Sequence, residues 1–88
     1  MSKLSKKYNE SKNYTDIIMD EIVSVLDKDK KEYTMKSKGN EIVVHTKDEL
    51  EKFEKYLYGK VSVPTMIFKL LVEMVQVNDT VYIRRKVK

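Results

Sequence analysis

The sequence predicts a small single domain of the α+β class, with an antiparallel sheet of about three strands and two or three helices packed on one face. Two observations support this prediction. Apolar residues recur at helical spacing in separate stretches, and they alternate with polar residues around a central turn and near the C-terminal end. A chain of 88 residues is long enough for one domain with a thin core.

The first helix is predicted from Thr15 to Asp27. Thr15 is a suitable N-cap residue, and Asp16 lies at the positive end of the helix dipole. Its apolar stripe consists of Ile18, Ile22, Val25 and Leu26, with Met19 at the margin. Residues 1–13 lack such a stripe, so we expect a flexible basic arm there and a folded domain over 14–88.

A β-hairpin is predicted next, with strands Tyr33–Lys36 and Glu41–Thr46. The turn between them places Gly39 where a positive φ is needed. Alternation along the second strand gives it two sides, with Ile42 and Val44 on one and Val43 and His45 on the other.

The second helix has both a start and an end signal. Thr46 and Glu49 match a capping box, and Gly59 can take the left-handed C′ position. Its apolar face consists of Leu50, Phe53 and Leu57.

The segment from residue 61 to residue 77 allows two interpretations. A third helix could begin at Pro64 and continue to Val75, with a narrow polar strip of Thr65, Lys69 and Glu73. Alternatively, 61–68 is a strand and 70–87 is a hairpin that turns at Asn78 and Asp79. The four-residue spacing of the polar side chains favours the helix. In either case a strand from Thr80 to Val87 ends the chain. Alternation along this strand predicts one face with Val81, Ile83, Arg85 and Val87 and another with Tyr82, Arg84, Lys86 and Lys88.

The net charge of +4 is concentrated at the two ends of the chain. Residues 1–13 carry a net +3 and residues 80–88 a net +4, whereas the 66 residues between them carry a net −3. Local basic clusters bind the phosphate backbone of DNA or RNA, and a tyrosine ring can stack on a base. The candidate nucleic-acid contacts are Lys3, Lys6, Lys7, Tyr82, Arg84, Arg85, Lys86 and Lys88. The alternative interpretation of the last strand is an edge strand that charge protects from unwanted pairing.

The third-helix segment carries more apolar side chains than one layer of a short chain easily covers. It is therefore either the central core element or, in part, a surface that binds another protein. The candidate interface residues are Met66, Phe68, Leu71 and Val72.

Composition argues against catalysis. The chain has no cysteine and one histidine, which excludes disulfides, thiolate metal sites and most known catalytic constellations. We expect no enzymatic activity, no cofactor and no metal. Neither a secretory signal nor an apolar run of membrane-spanning length is present, so the expected location is cytoplasmic.

The run Asp48–Leu57, followed by Val61–Pro64, resembles a stretch in a family of small uncharacterised archaeal proteins. There too a strand leads into an acidic helix and a short apolar run that ends in proline. The chain has Ser37–Asn40 where that family would have an Arg-Asp-Gly turn. More loosely, the chain looks like small basic accessory subunits of archaeal replication and translation machines. Lysine outnumbers arginine 16 to 2, a bias typical of thermophile proteins and equally of AT-rich genomes.

These observations predict a non-enzymatic accessory protein that docks on a larger protein of a replication, transcription or translation complex. A DNA polymerase or a ribonucleoprotein would be such a partner, and the basic ends would contact the nucleic acid. Two alternatives stay open. One is a free-standing DNA- or RNA-binding protein without sequence preference, which would be a homodimer; the other is a protein–protein adaptor or inhibitor, viral ones included, without nucleic-acid contact.

Overall fold

Three helices and four strands follow one another in the computed structural model, which describes residues 14–86. In chain order the elements are α1 (Tyr14–Lys28), β1 (Tyr33–Lys36), β2 (Glu41–His45), α2 (Leu50–Lys60), α3 (Thr65–Leu71), β3 (Val72–Val77) and β4 (Thr80–Arg85). The predicted α+β class is confirmed, with a fourth strand in the sheet. The predicted N-terminal arm lies outside the described residues, as do Val87 and Lys88.

The four strands form one antiparallel sheet in the order β1-β2-β4-β3. Cross-strand pairing aligns Ile42 with Ile83 and Val44 with Val81 at the centre of the sheet. The edges are therefore β1 and β3, and β4 is hydrogen-bonded on both sides. The interpretation of the last strand as a protected edge strand is wrong.

All three helices pack on one face of the sheet and form one hydrophobic core with it. The fully buried residues include Ile18, Ile22, Leu26, Ile42, Val44, Phe53, Leu57, Phe68, Val81 and Ile83. As predicted, the stripe of α1 and the apolar face of α2 both contribute, and β2 alternates with Ile42 and Val44 inward. The opposite face of the sheet, called the outer face below, has no helix over it among the described elements.

The helix ends differ from the prediction. Thr15 lies inside α1, and α2 begins at Leu50 with Glu49 as a cap residue that makes no side-chain cap hydrogen bond. The Thr46 hydroxyl instead accepts a hydrogen bond from the Asp48 N–H at 3.1 Å. Gly59 lies within α2, which ends one residue later and leads into extended backbone at Val61. The capping box and the glycine C′ position are therefore both wrong.

The ambiguous segment contains both a helix and a strand. α3 ends at Leu71, and Val72 is extended with φ −136° and ψ 138°. From there β3 pairs along its whole length with β4, up to the turn at Asn78 and Asp79. Long-range pairing of a valine-rich run outweighs the helical spacing of its polar residues, which explains why the helix prediction extends four residues too far.

Candidate nucleic-acid interface

Both ends of the described chain lie at the same end of the domain. Asp16, in the first turn of α1, forms an ion pair with Arg85, the last residue of β4. Lys86 follows directly, and its N–H donates to the carbonyl of Leu71 at 2.9 Å. The first turn of α1 and the C-terminal end of β4 are therefore neighbours in the fold.

The described domain itself is electrically balanced. Residues 14–86 contain 13 acidic and 13 basic side chains, so the whole excess of +4 belongs to the terminal segments 1–13 and 87–88. The predicted contacts Lys3, Lys6, Lys7 and Lys88 lie in those segments, outside the described residues. The net positive charge that would attract a polyanion is consequently carried by those terminal residues of the sequence.

Arg84 lies on the outer face of the sheet and is already paired with carboxylates. Its Nε is 2.9 Å from the Glu41 carboxylate on β2, and its Nη1 is 3.9 Å from Glu73 on β3. Register places Lys36 of β1 beside Glu41, so charges alternate in one row across all four strands. Such a row favours this strand order, and it lowers the positive potential that a phosphate would meet at Arg84.

Tyr82 occupies the next row of the outer face, between Val43 on β2 and Val75 on β3. It is half-buried, and the Arg84 guanidinium lies 5.7 Å from its ring centroid. The sequence predicts correctly that Tyr82 and Arg84 share one face and that Arg85 points the other way. Sequence alone gives no indication of the carboxylates that β2 and β3 bring to this face.

The predicted interface residues divide into two groups. Phe68 and Val72 belong to the core, with 0% and 3% of their surface exposed, so they are not available to a partner in this fold. Met66 is 75% exposed, and Leu71 is half-buried. Leu70 is 66% exposed and lies one turn from Met66. A helix of only two turns buries one side, and periodicity does not reveal which apolar residues are left outside.

Tyrosine–carboxylate pairs fasten the C-terminal end of α1 to its neighbours. The hydroxyl of Tyr33 donates to Asp27 at 2.6 Å, and that of Tyr56 on α2 donates to Asp29. The Tyr56 hydrogen bond, helped by Lys60, lowers the pKa of Asp29, whereas burial and then Asp29 raise the pKa of Tyr56. These pairs connect secondary-structure elements and are remote in sequence from the basic ends.

The structure also bears on metal binding and membrane spanning within residues 14–86. That part of the chain has no group of three or more metal-ligating side chains, and none of its helices has the length and apolarity needed to cross a bilayer. Comparisons with protein-family models, with curated proteins and with solved structures found no match.

Proposed function

We propose that this protein is a non-enzymatic accessory protein that contacts the phosphate backbone of DNA or RNA with its two basic terminal segments. The observation that carries the proposal is the Asp16–Arg85 ion pair, because it places the attachment points of both segments side by side. Residues 1–13, with a net charge of +3, and the C-terminal run 84–88, in which Arg84 and Arg85 also form ion pairs within the domain, then act on one phosphate-bearing partner instead of two. Contacts of this kind neutralise phosphates without reading base edges, so no sequence preference is expected.

The proposal is tested by fluorescence anisotropy with labelled DNA and RNA of about 20 nucleotides, from about 50 to 200 mM salt. One variant replaces lysines of the N-terminal segment: Lys3→Gln, Lys6→Gln and Lys7→Gln. A matched control replaces three exposed lysines beside or on α2: Lys47→Gln, Lys52→Gln and Lys55→Gln. Both variants lose the same charge, so net charge alone cannot separate them.

We expect the first variant to bind more weakly and to flatten the plot of log affinity against log salt by about one unit for each phosphate that is no longer neutralised. The control variant should keep most of both the affinity and the slope. If both variants lose the same amount of affinity, the binding surface extends over the whole domain and is not confined to the terminal segments. No binding by the full chain at the lowest salt would end the proposal.

A separate observation favours docking on a larger protein. Met66 and Leu70 are exposed on the same helix, with Lys69 next to them and its Nζ 5.7 Å from the ring centroid of Tyr58. An apolar pair beside one cation suits a partner groove that is apolar, with a carboxylate at its rim. We therefore propose that α3 docks on a partner surface of this kind.

The docking surface is tested with the double variant Met66→Ser/Leu70→Ser, against Met35→Ser/Val77→Ser, which changes exposed apolar residues elsewhere. A protein retained from an extract of the source organism is identified, purified and titrated against each variant. Affinity that falls more than about tenfold for the α3 variant alone supports docking through this helix. Equal affinity for all forms refutes it, and self-association that disappears in the α3 variant makes a second copy of the chain the occupant.

A further inference from the structure

A cleft of about 450 Å³ lies between the β1–β2 turn and the C-terminal end of β4. Its lining residues are Ser37, Asn40, Glu41, Arg84 and Arg85. The cleft is at the end of the domain where the Asp16–Arg85 pair joins the first turn of α1 to the end of β4. Two adjacent arginines with a hydroxyl and a carboxamide make a donor-rich lining, which is the chemistry that phosphate oxygens need.

Arg85 has an unused donor. Its Nη2 pairs with Asp16, but its Nε is buried and has no hydrogen-bond partner among residues 14–86. A buried guanidinium N–H without an acceptor is unfavourable, so an anion that supplies an oxygen would relieve this cost. The side chain as a whole is 26% exposed, and Arg85 is one of the residues that line the cleft.

The turn that forms the other wall has an unusual backbone. Ser37, Lys38 and Gly39 all have positive φ, at 54°, 56° and 88°. A serine and a lysine in this region cost about 1 kcal/mol each, and such strain tends to persist where a local arrangement has a use. The turn closes with the Asn40 N–H bonded to the Ser37 carbonyl at 3.1 Å, and it brings both residues to the cleft.

Glu41 is the one carboxylate in the lining, and it opposes an anion. Its carboxylate accepts a hydrogen bond from Arg84 Nε at 2.9 Å, so it fixes that guanidinium while weakening its field. An anion that enters must therefore compete with a neighbouring carboxylate. This competition predicts weak binding that one substitution can strengthen.

We infer that this cleft binds a phosphate group, which under the proposed function is one phosphate of the nucleic-acid backbone. The inference rests on the proposed function only for the source of the phosphate. Arg84 and Arg85 form the cationic part of the site, and Ser37 and Asn40 supply neutral donors. On a nucleic-acid strand, the cleft would fix the position of one phosphate.

The first measurement titrates the full chain with inorganic phosphate and follows backbone amide shifts by NMR. The decisive variant is Glu41→Gln, which keeps an oxygen for Arg84 Nε and removes the opposing charge. Its matched control is Glu51→Gln, the same change on an exposed residue of α2. We expect Glu41→Gln to tighten phosphate binding about threefold or more, with the largest shifts at residues of the turn, and the control to change it little. A gain in affinity cannot result from misfolding.

A second variant, Asn40→Asp, adds a carboxylate at the same cleft and should weaken phosphate binding about fivefold. The same variants are then tested on the labelled oligonucleotides. If phosphate shifts residues outside the cleft, or if Glu41→Gln and Glu51→Gln behave alike, the inferred site is wrong even if nucleic acid binds. If phosphate binds as expected but no oligonucleotide does, the site is correct for a free phosphate and the proposed function fails.

Discussion

Gln76 caps helix α2 from the neighbouring sheet, because its side-chain Oε1 accepts a hydrogen bond from the Leu50 N–H at 3.0 Å. The Nε2 of the same amide donates to the Asp48 carbonyl at 2.7 Å. One side chain of β3 thus satisfies a donor and an acceptor at the first turn of a helix 26 residues away. The start of α2 and the edge strand β3 are therefore stabilised together.

Replacing Gln76 by leucine should destabilise the domain by about 1–2 kcal/mol, since both hydrogen bonds are removed in a partly buried place. Glu49→Ala should change the free energy of unfolding by less than about 0.5 kcal/mol, because Glu49 makes no side-chain cap bond. Urea unfolding of the two variants and the unmodified chain measures both values. The reverse order of stabilities would restore the capping box that the sequence suggests.

The Gln76 cap of α2 shows which features of the fold could be predicted from the sequence and which could not. The pattern Thr46–Glu49 is local, and local patterns place α1, the first hairpin and α2 to within a few residues. The side chain that actually caps α2 comes from β3, and its role depends on long-range pairing. Gln76 is the only glutamine in the chain, and the residues next to it in sequence do not indicate that its side chain contacts α2.

The candidate site likewise has features that the sequence predicts and features that it does not. Alternation along β4 predicts correctly which face carries Tyr82 and Arg84 and which carries Arg85. It cannot predict that Glu41 and Glu73 flank Arg84, because these carboxylates are 43 and 11 residues away in sequence. The cleft is likewise formed by two segments that meet only after folding, so Ser37 and Asn40 carry no functional signal in the sequence.

Helix α3 is only about two turns long, yet one of its sides is buried and the other is exposed. Phe68 is fully buried and meets the Tyr58 ring edge-on, with centroids 5.0 Å apart. Phe68→Leu should therefore cost about 1–2 kcal/mol of stability through poorer packing and the absence of the aromatic pair.

Met66→Ala, one turn or less away but on the exposed side, should cost less than about 0.5 kcal/mol. Thermal or urea unfolding distinguishes the two sides. Comparable losses of stability would mean that Met66 is covered in solution, as a stable second copy on α3 would cause.

Asp29 makes the stability of the domain depend on pH in the acidic range. The Tyr56 hydroxyl, followed by the charges of Lys60 and Lys31, holds the pKa of this carboxyl below its usual value. A carboxyl with a lowered pKa adds stability near neutral pH, and this stability is lost as the pH falls through the lowered pKa. The Tyr56→Phe variant should be less stable at neutral pH, and the difference should shrink below about pH 4.

Urea unfolding between about pH 2 and 7, with an NMR titration of the Asp29 carboxyl, measures this effect. Tyr58→Phe is the control, because the pKa of Tyr58 is raised by burial and by Glu54 rather than by a hydrogen bond to Asp29. An Asp29 pKa that does not rise in Tyr56→Phe would show that the hydroxyl is not its main partner.

Substitutions at two adjacent positions of the β1–β2 turn should change the stability of the domain in opposite directions. Gly39 has φ +88°, and a Cβ there would lie 3.3 Å from the Met35 methyl carbon, so Gly39→Ala should cost about 1–2 kcal/mol. Lys38 adopts φ 56° despite its side chain, and Lys38→Gly removes that strain at the cost of a more flexible unfolded chain. Its net effect should lie between neutral and about 1 kcal/mol of stabilisation, measured by urea unfolding. If Lys38→Gly destabilises the domain as much as Gly39→Ala does, the left-handed turn is not the conformation in solution, and the wall of the phosphate cleft has a different shape.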